Sequence, residues 1–187
     1  MPFDPAPQLR PIARCAAALV AACVAGAACG AMSREDYRAA RARIDAEYRE
    51  ARAACERLVD RGRDVCRAEA AGKERVARAE LEFNRSGDPR DALRLALTRA
   101  DARYEVARER CAARSGADRT NCEADAKAAH TKEVADARLE SRIADAQRDA
   151  AQDKRDADAD AARARCKALE GDARTRCLAD AKARFGR

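Results

Sequence analysis

The chain has 187 residues and a formal net charge of +6, and 47% of it is nominally hydrophobic. Most of that fraction is alanine: 51 Ala stand against 23 residues of Ile, Leu, Val and Phe combined, about 12% of the chain, and there is no Trp. So little bulky apolar side chain excludes an ordinary globular core and argues against a compact enzyme with a water-excluding cleft. Ala, Glu, Lys, Leu and Arg together make up roughly 61% of the residues, the composition of long helices or coiled coil. The 39 basic and 33 acidic residues alternate finely, which favours pairing along helices over the self-repulsion of a disordered chain.

Residues 1–31 have a different character. Arg10 and Arg14 form a basic flank, an uncharged Ala/Val/Cys stretch follows from Cys15, and small residues surround Ala25. This is the pattern of a cleaved export signal, with Ala27, Ala28, Gly30 and Ala31 all acceptable as the last residue removed. A retained transmembrane span is disfavoured, because only Leu19, Val20, Val24 and Met32 are strongly apolar between Arg14 and Arg34. Within the stretch, Leu19-Val20-Ala21-Ala22-Cys23 resembles a bacterial lipobox, which makes Cys23 a candidate for lipidation.

Ser33, with Asp36 three residues later, predicts the cap of a first helix running to about Leu58 or Arg61. Its apolar stripe is Tyr37, Ala40, Ile44, Tyr48, Ala51, Cys55 and Leu58, spaced by three and four. Cys55 opens the most regular feature of the chain. The six cysteines beyond the signal fall into pairs eleven apart, Cys55 with Cys66, Cys111 with Cys122 and Cys166 with Cys177, and the pairs recur every 55 or 56 residues. The flanks repeat as A-R-x-x-C before the first cysteine and A-[DE]-A after the second, so the chain contains three copies of one unit.

An unbroken helix would separate residues eleven apart by about 16 Å, whereas a disulfide needs Cα atoms within about 7 Å. Gly62, Gly116 and Gly171 lie between the paired cysteines, with Asp64, Asp118 and Asp172 nearby as candidate caps of the returning helix. Each interval therefore predicts the bend of an antiparallel helical hairpin, closed at its neck by a disulfide in an oxidising compartment. The spacing does not suit zinc, and the lone His130 is expected on a solvated helix face.

The first return arm carries Val65, Val76, Ala79 and Phe83, and Asn84-Arg85-Ser86-Gly87-Asp88-Pro89 predicts a firm joint. The second unit repeats the stripe at Leu93, Leu97, Ala100, Tyr104, Ala107 and Cys111, with Val134, Leu139, Ile143 and Ala146 on its return arm. From Asp118 to about Arg165 there is neither Gly nor Pro, so one helix of some 48 residues, about 70 Å long, should link the second bend to the third. If the joint at Pro89 reverses the chain, two bends lie at one end and the third at the far end. The expected fold is all-α: elongated antiparallel helical hairpins or coiled coil, three C-x10-C disulfide-closed bends and no globular core. Its division is 1–31 signal peptide, 32–84 hairpin unit 1, 85–89 joint, 90–145 hairpin unit 2, and 146–187 long-helix continuation with a short hairpin unit 3.

The signal-like start, the Ala/Arg/Lys/Asp/Glu body and the repeated A-R-x-x-C-x10-C-x-A-[DE]-A resemble the small exported Ala-rich helical proteins of Gram-negative proteobacteria, loosely called TolA-like cell-envelope proteins. The resemblance spans residues 32–187 and implies an envelope location without a mechanism. TolA itself has a membrane anchor and a carboxy-terminal globular domain, and neither is expected here.

The expected role is a non-enzymatic periplasmic scaffold or interaction protein, meeting envelope proteins or cell-wall material, with no catalytic residue, cofactor or metal. The alternatives are a holdase-type binding module, which would need a concave apolar surface left open by the hairpins, and an outer-membrane lipoprotein anchored through Cys23. Catalysis needs convergent groups in a sheltered site, yet carboxylates such as Glu105 and Glu109 stand among arginines on expected solvated faces. Nucleic acid is not an expected partner, because basic residues are interleaved with acidic ones as in Asp153-Lys154-Arg155-Asp156.

Overall fold

The computed structural model describes residues 32–186, and these form five α-helices and no strand. The predicted signal and Cys23 lie outside the described residues. Helix α1 (Arg34–Cys55) begins at the expected cap, where the Ser33 hydroxyl accepts from the Asp36 amide at 3.0 Å and donates to the Asp36 carboxylate at 2.7 Å. It stops at Cys55, short of Leu58, because the four residues 56–59 are needed to reverse the chain before α2 (Asp60–Ser86). Leu58 accordingly leaves the stripe and faces solvent at the bend.

The joint forms as its residues require. Gly87 adopts a left-handed φ of 61° and its amide donates to the Phe83 carbonyl at 2.8 Å, closing α2. The Asp88 side chain then accepts from the Arg90 amide at 2.8 Å, and Pro89 occupies the first turn of α3 (Pro89–Cys111). Helix α4 runs unbroken from Gly116 to Lys167, 52 residues or about 78 Å, and α5 (Gly171–Phe185) folds back on its far end.

Among the described residues each helix packs only against its neighbours in sequence: α1 on α2, α2 on α3, α3 on α4, and α4 on α5. Successive helices are antiparallel, as cross-helix pairs such as Arg99–Glu80 and Arg110–Glu69 require. The bends closed by Cys55–Cys66 and Cys111–Cys122 therefore share one end, and the third lies beyond the joint, with Cys122 and Cys166 about 66 Å apart along α4. Between the stretch of α4 covered by α3 and the stretch covered by α5, residues 145–151 are all exposed.

The buried set is small: Ile44, Ala70, Leu81, Leu95, Ala100, Ala102, Ala126, Ala137, Ala159, Ala181 and the first cysteine of each pair. The middle helices α2 and α3 are buried on two sides, and the sequence pattern exposed only one of them. On α3 the stripe containing Ala100 and Cys111 faces α4, while Leu95 and Ala102 form a second stripe toward α2. At the closest approach of α2 and α3, Gly72 lies against Ala102 with no room to spare: a Cβ on residue 72 would sit 3.1 Å from the Ala102 Cβ. On α4 the seam is alanine, with Ala126 and Ala137 buried, and the expected Leu139, Ile143 and Ala146 face outward instead. Leu139 and Ile143 lie most of half a turn away from Ala137, so one helix face cannot hold all three against α3.

Candidate functional site: three disulfide necks and the helix faces between them

The three necks are near copies of one another. Cys55–Cys66, Cys111–Cys122 and Cys166–Cys177 are disulfide-bonded, with Cα separations of 5.6, 5.5 and 5.5 Å. Leu58, Arg114 and Leu169 donate their amides to the carbonyls of Cys55, Cys111 and Cys166 at 3.0, 2.9 and 3.1 Å, so each bend opens with the same tight turn. The residue five places after the first cysteine then takes a left-handed backbone: Asp60 at φ 48°, Gly116 at 56° and Gly171 at 53°. Gly116 and Gly171 thus serve the bend as expected, whereas Gly62 is an ordinary helical residue and Asp60 holds the strained position in the first unit. The capping carboxylates expected at Asp64, Asp118 and Asp172 are also corrected. The residues preceding these helices are Val59, Ser115 and Glu170, none with a side-chain cap bond, and Asp60, Asp118 and Asp172 lie in the first turn, where they complement the helix dipole.

Within each neck the first cysteine is sealed, with exposures of 0, 2 and 1% for Cys55, Cys111 and Cys166, and these are the largest fully buried side chains among the described residues. The disulfides are therefore the core of their hairpins. Closing a loop of this size stabilises the fold by about 2.8 kcal/mol by the chain-entropy relation, more than the neighbouring alanines supply by burial.

Polar contacts set the register between arms. At the open end of the first hairpin Tyr37 donates its hydroxyl to Glu82, Arg85 bonds the same carboxylate at 2.9 Å, and the Arg85 guanidinium lies 5.5 Å from the Tyr37 ring centroid. The bonds from Tyr37 and then Arg85 hold the Glu82 carboxyl below its ordinary pKa, and the bond to Glu82 raises the Tyr37 phenol above its own. Arg78 bridges Glu74 and Asp45, and Arg67 grips both Glu56 oxygens at 2.9 Å across the first neck, lowering the Glu56 pKa. Between α3 and α4, Arg103 pairs with Glu133 at 2.9 Å.

His130 is not the solvated residue expected. Its ring stacks on Tyr104 with centroids 4.7 Å apart, and its Nε2 lies 2.7 Å from the Asp101 carboxylate. Tyr104 also carries Arg108 at 5.8 Å, as Tyr48 carries Arg52 at 6.0 Å, so the repeated tyrosines are shelves for an arginine one turn on. The two contacts of His130 had no signal of their own in the sequence, because each depends on the register between α3 and α4.

No described polar or charged residue is buried, and no group of three or more His, Cys, Asp or Glu side chains converges among the described residues. Glu105 is engaged by Arg75, and Glu109 lines a shallow surface beside Tyr48 and Arg52. A groove of about 870 Å³ runs between α2 and α3 over Gly72, Val76, Ala102 and Val106, but the Arg110–Glu69 and Arg99–Glu80 pairs span it.

No family model, curated protein or solved structure matches the chain.

Among the described residues no helix is long and apolar enough to cross a membrane. The three closed disulfides are compatible with an exported protein.

Proposed function

We propose that this protein is a non-enzymatic helical scaffold of the periplasm or cell envelope, exported by residues 1–31, whose exposed helix faces meet envelope proteins or cell-wall material. One observation carries the reading: the largest fully buried side chains of the described fold are Cys55, Cys111 and Cys166, each in a disulfide. A fold with so little bulky core that is closed at three necks by disulfides belongs where thiols are oxidised. The repeated unit and the Ala-rich body support the likeness to TolA-like envelope proteins. Residues 32–187 carry 37 basic against 32 acidic side chains, a balance that suits weak, salt-sensitive contact with anionic envelope material.

The test is the intact mass of the protein from a Gram-negative envelope fraction, alkylated before and after reduction. A mass lacking residues 1–31, with no alkyl group before reduction and six after it, is the expected result. Free thiols before reduction, or retention of residues 1–31, would return a cytoplasmic or anchored rod to the front, and an added acyl mass on Cys23 would make the protein a lipoprotein. The second reading is a holdase, whose client surface would be the groove over Val76, Ala102 and Val106 once the Arg110–Glu69 and Arg99–Glu80 pairs that span it part. Suppression of aggregation of an unfolded client, lost when the groove is filled by Val106→Trp, would support it.

A further inference from the structure

Both helices that pack on α4 use the same side of it. Ala126, Ala137, Ala159 and Cys166 are its buried residues, separated by 11, 22 and 7 positions, all close to whole numbers of turns. The first two lie against α3 and the last two against α5, so the opposite face is uncovered along the whole helix. That face is not uniformly polar. Leu139 and Ile143, 49 and 48% exposed, are followed at the spacing of a helical seam by Ala146 and Ala150. On one flank of this seam stand Arg142 and, two turns later, Asp149. Both are exposed, and neither has a hydrogen bond or ion pair within the described residues.

This pattern is complementary to itself under a two-fold rotation. In an antiparallel pairing centred near residue 145, Ile143 meets Ala146 of the second copy and Leu139 meets Ala150, large against small in these four layers, and the seam ends on either side where Asp136 comes opposite Asp153. The same register brings Arg142 alongside Asp149 of the second copy, and symmetry supplies the pair twice. Nothing obstructs the approach, because α3 and α5 of each copy lie on the far side of their own α4. We propose that the outer face of α4, centred on Leu139, Ile143, Ala146 and Ala150, is the interface for a second copy of this chain, forming an antiparallel two-fold dimer through α4. In that register the third neck of each copy, at Cys166, lies beside the second neck of the other, at Cys122, and the pairing does not depend on where the protein resides.

The test is the mass in solution of the protein with its disulfides closed, by sedimentation equilibrium across the micromolar range. A monomer–dimer equilibrium is expected. Arg142→Asp alone and Asp149→Arg alone should each raise the dimer Kd at least about tenfold, since each replaces two attractive contacts by two repulsive ones. The double variant Arg142→Asp/Asp149→Arg restores both pairs with their signs exchanged and should return Kd to within about threefold of the parent. Helical circular dichroism of each variant checks that α4 stays formed. A protein monomeric throughout, or a dimer whose Kd ignores the single reversals, would overturn the proposal, as would a double variant no tighter than either single one.

Discussion

Helix α5 gives the sharpest test of the claim that disulfides take the place of a core. It has 15 residues, touches only α4, and buries a single side chain, Ala181, to the level of a core residue. A free helix of that length is marginal in water, and burying one alanine methyl contributes no more than about 1 kcal/mol. The Cys166–Cys177 bond contributes about 2.8 kcal/mol to keeping the hairpin closed, so it decides whether α5 stays docked. Replacing both cysteines by serine should raise the open population of α5 roughly hundredfold. Amide hydrogen exchange reads this directly. Protection should collapse across residues 171–185, while amides around Leu81 and Leu95, in the α2–α3 pair, should keep their parent rates. If α5 exchange rises less than threefold in the Cys166→Ser/Cys177→Ser variant, packing rather than the disulfide holds the hairpin, and the account of the necks is wrong.

Other expectations concern single positions. Gly72→Val should destabilise by about 1–3 kcal/mol in urea unfolding, because its side chain would overlap Ala102, whereas Gly72→Ala should be nearly neutral, its tight 3.1 Å contact offset by better helix propensity. Gly116→Ala and Gly171→Ala should each cost about 1–2 kcal/mol although both positions face open space, since the cost lies in the left-handed backbone; Asp60→Gly should relieve the same strain and raise the thermal midpoint. The depressed pKa of Glu82 contributes stability that is present above its unfolded value and lost as pH falls through the folded one. The open end of the first hairpin should therefore loosen on acidification below the ordinary glutamate pKa, as monitored by exchange at Tyr37, and Glu82→Gln should flatten that dependence.

The hairpins were legible because they rest on residues that stand out. Cysteines eleven apart, three times over, cannot pair along a continuous helix, and Gly87 with Pro89 marks a joint whatever surrounds it. The partition of faces was not legible, because alanine serves both as seam and as surface in this chain. Ala126 and Ala137 are buried while Ala146 and Ala150 are exposed, and nothing local distinguishes them. Where bulky residues broke the monotony they misled: Leu139 and Ile143 looked like seam and lie outside it. The second stripe of α3 at Leu95 and Ala102 was hidden for a related reason, since a helix packed on two sides shows no single periodic face. The ring stack of His130 on Tyr104 needed the register of α3 against α4, which the second neck and the Arg103–Glu133 pair supply together.

The bare stretch of α4 between its two covered parts has a geometric consequence. Clamped at both ends, it needs no nucleus of its own and simply extends the helical order on either side. Its residue count then fixes two quantities together, because each residue advances the third hairpin by 1.5 Å and turns it by about 100°. Inserting seven residues within 145–151 would move that hairpin about 10.5 Å outward and leave it facing almost the same way, while inserting two would swing it to the opposite side of the rod. The stretch acts as a ruler and a phase setting at once, and its length is where change could alter what the far hairpin reaches without disturbing any disulfide.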